Sequence, residues 1–84
     1  MKNTSISSPS ALGQAIRIAR TNRQLTQQEV GAKVGVDQST ISSVENGNAG
    51  TRLDTLFHLL AALDLEITLQ SRKAPSNPTN KEGW

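Results

Sequence analysis

The sequence predicts an all-α fold: a compact domain of four to five helices with one β-strand at its C-terminal end. Three observations predict it. Apolar residues recur at helical spacing in successive short segments. Helix start and stop signals (Ser-Pro, Thr-x-x-Glu, Gly) stand between those segments. At Leu65 the apolar period shortens from helical to alternating. A chain of 84 residues without Cys holds one domain with a small core and no disulfide or thiolate metal site. The expected organisation is a flexible N-terminal arm over 1–7, the folded domain over 8–70 and a disordered polar tail over 71–84. No apolar run nears the ~20 residues of a membrane span, and MKNTSISSPS lacks a signal-peptide core. A soluble, cytoplasmic protein is therefore expected.

The first helix is expected from Pro9 to about Arg23. Ser8 precedes it as N-cap, and Pro9 takes the first helical position, where its missing N–H costs nothing. Leu12, Ala15, Ile16 and Ala19 form its apolar stripe. A second helix starts at "TQQE", where Thr26 and Glu29 form a capping box. It ends at Gly35, a left-handed cap. Gly31 inside it costs about 1 kcal/mol relative to Ala, which implies that another helix crosses very close there. Asp37 is placed to cap a third helix, Gln38 to Glu45, locked inward by Ile41 and Val44. Thr51 and Asp54 resemble a further cap arrangement before "LDTLFHLLAAL", whose expected inward stripe is Leu53, Leu56, Phe57, Leu60 and Leu63. "LEITLQ" then alternates Leu65, Ile67 and Leu69 with polar residues, as a half-buried strand does. One strand in a helical chain has no partner of its own, so the same strand of a second copy would pair with it in a homodimer. The alternative is an extension lying on its own domain.

The third helix has an odd composition. Three serines, a threonine and two β-branched aliphatics take six of the seven positions from Gln38 to Val44, where a helix chosen for stability would carry Ala, Leu, Glu and Lys. Helix, short Gly turn, helix is the helix-turn-helix arrangement, whose second helix enters the DNA major groove. Small polar side chains fit that groove and can read base edges. Gln38, Ser39, Ser42 and Ser43 are the candidate base contacts. Gln27 at the start of the preceding helix and Arg23, Thr40 and Asn46 are the candidate phosphate contacts. Residues 1–35 hold five basic side chains against one acid, a net +4, whereas 36–70 net −4. That asymmetry is consistent with phosphate contact, though equally with solvated helix faces. Catalysis and metal binding find no support. His58 is the single histidine, no His-Asp set accompanies the serines, and no Gly-rich phosphate loop is present, so no enzyme activity, metal or cofactor is expected.

Through "LTQQEVGAKVGVDQSTISSVENG" the chain resembles the Cro/phage-repressor (XRE-like) helix-turn-helix family. Its flanks, "SPSALGQAIRIAR", "LEITL" and a polar tail ending in Trp84, look like the HipB-type antitoxins. The resemblance implies a homodimeric autorepressor bound to palindromic double-stranded operator DNA, nucleoid-associated when bound. It also implies an antitoxin that neutralises a HipA-type serine/threonine kinase toxin. By position, Gln38, Ser39 and Ser42 match the family's base-contacting residues, and Gln27 and Gln28 its phosphate contacts. Asp37 departs from relatives with a basic or neutral residue there: it either caps the helix, opposes phosphate, or accepts from a cytosine amino group. Gln24 stands where many relatives have Gly. Trp84 is a candidate partner-binding element, either docking on a partner or read as a degradation signal. Two other functions remain open: a stand-alone phage or restriction-controller regulator without a toxin, and a protein-interaction adaptor without DNA.

Overall fold

The computed structural model describes residues 5–71. Four helices follow one another: α1 (Pro9–Asn22), α2 (Gln27–Val34), α3 (Gln38–Glu45) and α4 (Leu53–Ala62). Local chemistry sets most of their ends. The Ser8 hydroxyl accepts from the Ala11 N–H at 3.0 Å, ahead of Pro9. The capping box of α2 is complete: Thr26 Oγ1 accepts from the Glu29 N–H at 3.0 Å, and Glu29 Oε1 accepts from the Thr26 N–H at 2.8 Å. Gly35 ends α2 at φ +76°.

Two cap expectations are corrected. Asp37 occupies the N-cap position of α3, yet its carboxylate makes no cap hydrogen bond. Arg52, not Thr51, is the N-cap of α4. Thr51 Oγ1 instead donates to the Asn48 carbonyl, and Asp54 is engaged by Arg52 and the Thr55 N–H.

Helices α1 and α4 both end in a left-handed residue that is not glycine. After α1, Gln24 takes φ +59°; its N–H donates to the Thr21 carbonyl, and the Leu25 N–H to the Arg20 carbonyl. After α4, Asp64 takes φ +59°, with its N–H on Ala61 and the Leu65 N–H on Leu60. This paired closure is the Schellman motif, which normally prefers Gly at that position.

The core is Ile16, Val30, Ile41, Val44, Leu56, Leu59, Leu60 and Leu63, with Leu12, Leu25, Val34, Val36 and Leu65 packed against it. The expected stripe of α4 holds at Leu56, Leu60 and Leu63 and fails at Leu53 and Phe57. Leu53 and Phe57 are 69% and 52% exposed, while Leu59 is fully buried. Leu56, Leu59, Leu60 and Leu63 keep the i, i+3, i+4, i+7 spacing, so the true face is rotated from the one first read. An almost wholly apolar helix leaves its phase open until a neighbour decides it.

Two glycines mark close approaches. A Cβ on Gly31 would lie 2.6 Å from the Val36 carbonyl oxygen, so the neighbour is the turn into α3 rather than a crossing helix. The tight helix crossing is at Gly13, unremarked in the sequence. There a Cβ would meet the backbone of Val44 and Glu45 at the end of α3.

Among the described residues there is no β-strand, and residues 65–71 carry no regular secondary structure. Leu65 packs on the core, but Ile67 and Leu69 are 46% and 92% exposed. The extension therefore does not bury its apolar side against its own domain. The N-terminal four residues and the tail with Trp84 lie outside the described residues.

Candidate nucleic-acid interface

Helices α2 and α3 are joined by Gly35, Val36 and Asp37. Tertiary contact holds α3 in place: Ile41, Val44 and Glu45 are its buried residues. The opposite side presents Gln38, Ser39 and Asn46 as exposed residues, with Ser42, Ser43 and Thr40 half-buried around them. No bulky apolar side chain stands on that side, as entry into a groove roughly 12 Å wide requires.

The expected site residues fall into three groups. Gln38 and Gln27 are brought together: Gln38 Nε2 donates to Gln27 Oε1 at 3.3 Å. Ser42 and Ser43 are tied to the loop after α3, accepting from Asn46 Nδ2 at 3.4 Å and Asn48 Nδ2 at 2.7 Å. Asn48 Oδ1 also accepts from the Gly50 N–H, which stiffens this loop. Ser39, Thr40 and Ser43 line a cleft of about 490 Å³ with Arg52 and Thr55. Arg23 and Gln28 are exposed and join neither set; Arg23 Nη1 donates to the Ala19 carbonyl of its own helix.

Glu45 and Arg20 carried no functional expectation, yet they organise the site. Glu45 is 7% exposed, the one buried charged residue among those described. Its Oε2 accepts from Arg20 Nε at 2.6 Å, and its Oε1 accepts from Arg20 Nη2 at 3.1 Å and Gln27 Nε2 at 3.0 Å. Arg20 Nη1 donates to the Leu25 carbonyl at 2.7 Å. The hydrogen bonds that Arg20 donates to Glu45, and then the charge of that carboxylate, raise the Arg20 guanidinium pKa above its ordinary value. This network links α1, the turn after it, α2 and α3. A basic residue on α1, 25 positions before an acid on α3, gives no local pattern, so nothing short-range in the sequence signals the pair.

Among the described residues, no cluster of His, Cys, Asp and Glu could hold a metal ion. None of their helices is long and apolar enough to cross a membrane.

The fold and this surface define a helix-turn-helix domain of the DNA-binding, transcription-regulating class. A family model described as helix-turn-helix matches residues 16–70. The antitoxin HipB of Escherichia coli (strain K12) is 36% identical over 77 residues, covering 92% of this chain and 88% of that protein. A chain of the HipA-HipB-O2-O3 complex superposes with a TM-score of 0.80 at 38% identity, covering 84% of this chain and all of the other. The restriction-modification controller protein C.AhdI of Aeromonas hydrophila gives 0.64 at 33% identity, covering 69% of this chain and 84% of its own. The chain thus belongs to the HipB family of helix-turn-helix proteins.

Proposed function

We propose that this chain is a sequence-specific autorepressor that doubles as the antitoxin of a toxin-antitoxin module, neutralising a HipA-type serine/threonine kinase. The observation that carries the reading is similarity along nearly the whole length of HipB, combined with a polar, groove-compatible face on α3. Gln38, Ser39, Ser42 and Ser43 read bases. Gln27 and Gln28 bind a phosphate at the start of α2, where the capping box occupies the N–H groups of Thr26 and Glu29 but not theirs. Arg23, Thr40 and Asn46 hold the flanking backbone, and Arg23 adds charge. The protein acts as a homodimer on a palindromic operator, pairing Leu65, Ile67 and Leu69 with the same residues of a second copy. The exposure of Ile67 and Leu69 in the single chain supports this pairing. Trp84 at the end of the tail belongs to the toxin-facing part of the reading.

The test uses the full chain co-expressed with the product of the adjacent gene, which the reading expects to be kinase-like. A stable complex, relief of growth arrest, and salt-sensitive binding to the shared promoter are the expected results. DNA binding without any partner would instead favour a stand-alone regulator, the reading to which the C.AhdI likeness points. A variant Ile67→Pro tests the dimer separately. Proline removes a ladder donor, so the solution mass should fall toward that of a monomer. An unchanged mass would place the interface elsewhere.

A further inference from the structure

We infer that Glu45, which faces away from the exposed side of α3, is a positioning residue for base discrimination. Through Gln27 it fixes which end of the Gln38 carboxamide faces the base. This rests on the reading of Gln38 as a base contact.

A carboxylate only accepts hydrogen bonds, whereas a carboxamide offers an NH2 at one end and an oxygen at the other. Glu45 is immobilised first. Arg20 binds both of its oxygens and is itself tied to the Leu25 carbonyl. Gln27 can then approach Glu45 only with Nε2, as it does at 3.0 Å. Its Oε1 is thereby turned to Gln38, which can answer only with an N–H, at 3.3 Å. Each amide in the series is oriented by the one before, starting from a group that cannot reverse.

The consequence lies at the exposed end. Gln38 keeps one free N–H and its Oε1, in a fixed order. That order matches adenine, which offers N7 as acceptor and N6–H2 as donor in the major groove. Guanine offers two acceptors, N7 and O6, and would oppose the Gln38 oxygen to its own O6. Without the Gln27 oxygen to hold one of them, both Gln38 N–H groups could turn to N7 and O6 of guanine, and the distinction would be lost. The polarity that separates the two purines is set by a side chain that touches neither.

The experiment takes the full chain and the site it selects from random double-stranded DNA. Gln38→Ala first identifies the base pair at which adenine is preferred over guanine. A bidentate contact should make that preference roughly five- to 100-fold. Two variants then interrupt the relay differently. Glu45→Gln replaces the irreversible acceptor with an amide, and Gln27→Met cuts the link while keeping the Arg20–Glu45 pair. Both should reduce the adenine-to-guanine ratio at that base pair to under about threefold, leaving ratios at other base pairs unchanged. A merely structural loss would weaken every sequence alike and leave the ratio intact. If both variants keep the full ratio while Gln38→Ala abolishes it, Gln38 reads the base and the relay inference is overturned. If Gln38→Ala changes no ratio, or no site is selected, the reading of Gln38 falls and the relay falls with it.

Discussion

Replacing Gly13 by Ala should destabilise the domain, although Ala is the better helix former. In a free helix interior the change would add about 1 kcal/mol of stability. Here a Cβ would stand 2.7 Å from the Glu45 carbonyl oxygen and 2.9 Å from its carbonyl carbon, and nearer still to the Val44 oxygen. Ordinary contact begins at 3.4 Å, so clearing the nearest of these atoms would take a retreat of α1 from α3 by about 1 Å. The obstructing atoms are helix backbone and cannot rotate aside. Overpacking of this kind costs roughly 1–3 kcal/mol. With rigid atoms on both sides we take the upper half of that range, which leaves a net loss of about 1–2 kcal/mol after the propensity gain. In a domain of this size that corresponds to a fall in Tm of roughly 5–15 °C. Thermal and urea unfolding followed by circular dichroism measures it. Protomer concentration is held constant because association would shift the midpoint. Gly35→Ala serves as a contrast: its φ is +76° with no atom within 4 Å of the added Cβ. Its cost is backbone strain alone, about 1–2 kcal/mol. A Gly13→Ala protein as stable as the parent, or more so, would refute the close crossing of α1 on α3.

Three other predictions concern single side chains. Gln24→Gly should stabilise by about 1 kcal/mol, because the left-handed position at φ +59° suits glycine; a lower urea midpoint would contradict the turn described. The Asp54 carboxyl, held by the Arg52 hydrogen bond and secondarily by the Thr55 N–H, is lowered from 3.8 to about 2. A folded value below the unfolded one means its contribution is present above about pH 4 and is lost as pH falls toward 2. An NMR titration of Arg52→Gln should show that midpoint moving back up; an unmoved midpoint would assign the effect to the Thr55 N–H. Asp37→Asn should strengthen binding to all DNA sequences by up to about fivefold, since an uncapping acid opposes phosphate. A loss confined to one base pair would show instead that the carboxylate accepts from a cytosine amino group.

The sequence by itself determined whatever depends on neighbours a few residues away. The Ser8 cap, the Thr26–Glu29 box and the Gly35 turn form between residues at most four apart, so each carries a local signature. The polar composition of α3 and its inward Ile41 and Val44 were legible for the same reason. The cap of α4 was misread because Thr51 and Asp54 both found other partners nearby.

Only the tertiary structure decided the remainder. The phase of α4 was open because nearly every face of "LDTLFHLLAAL" is apolar, and packing against α2 chose Leu59 over Phe57. Gly13 reads as an ordinary small residue until the end of α3 is laid across it. The acceptor that orients Gln27 and Gln38 is a glutamate whose partner lies on another helix. Hydrogen-bond direction depends on which group meets which in space, and spacing along a chain does not encode that.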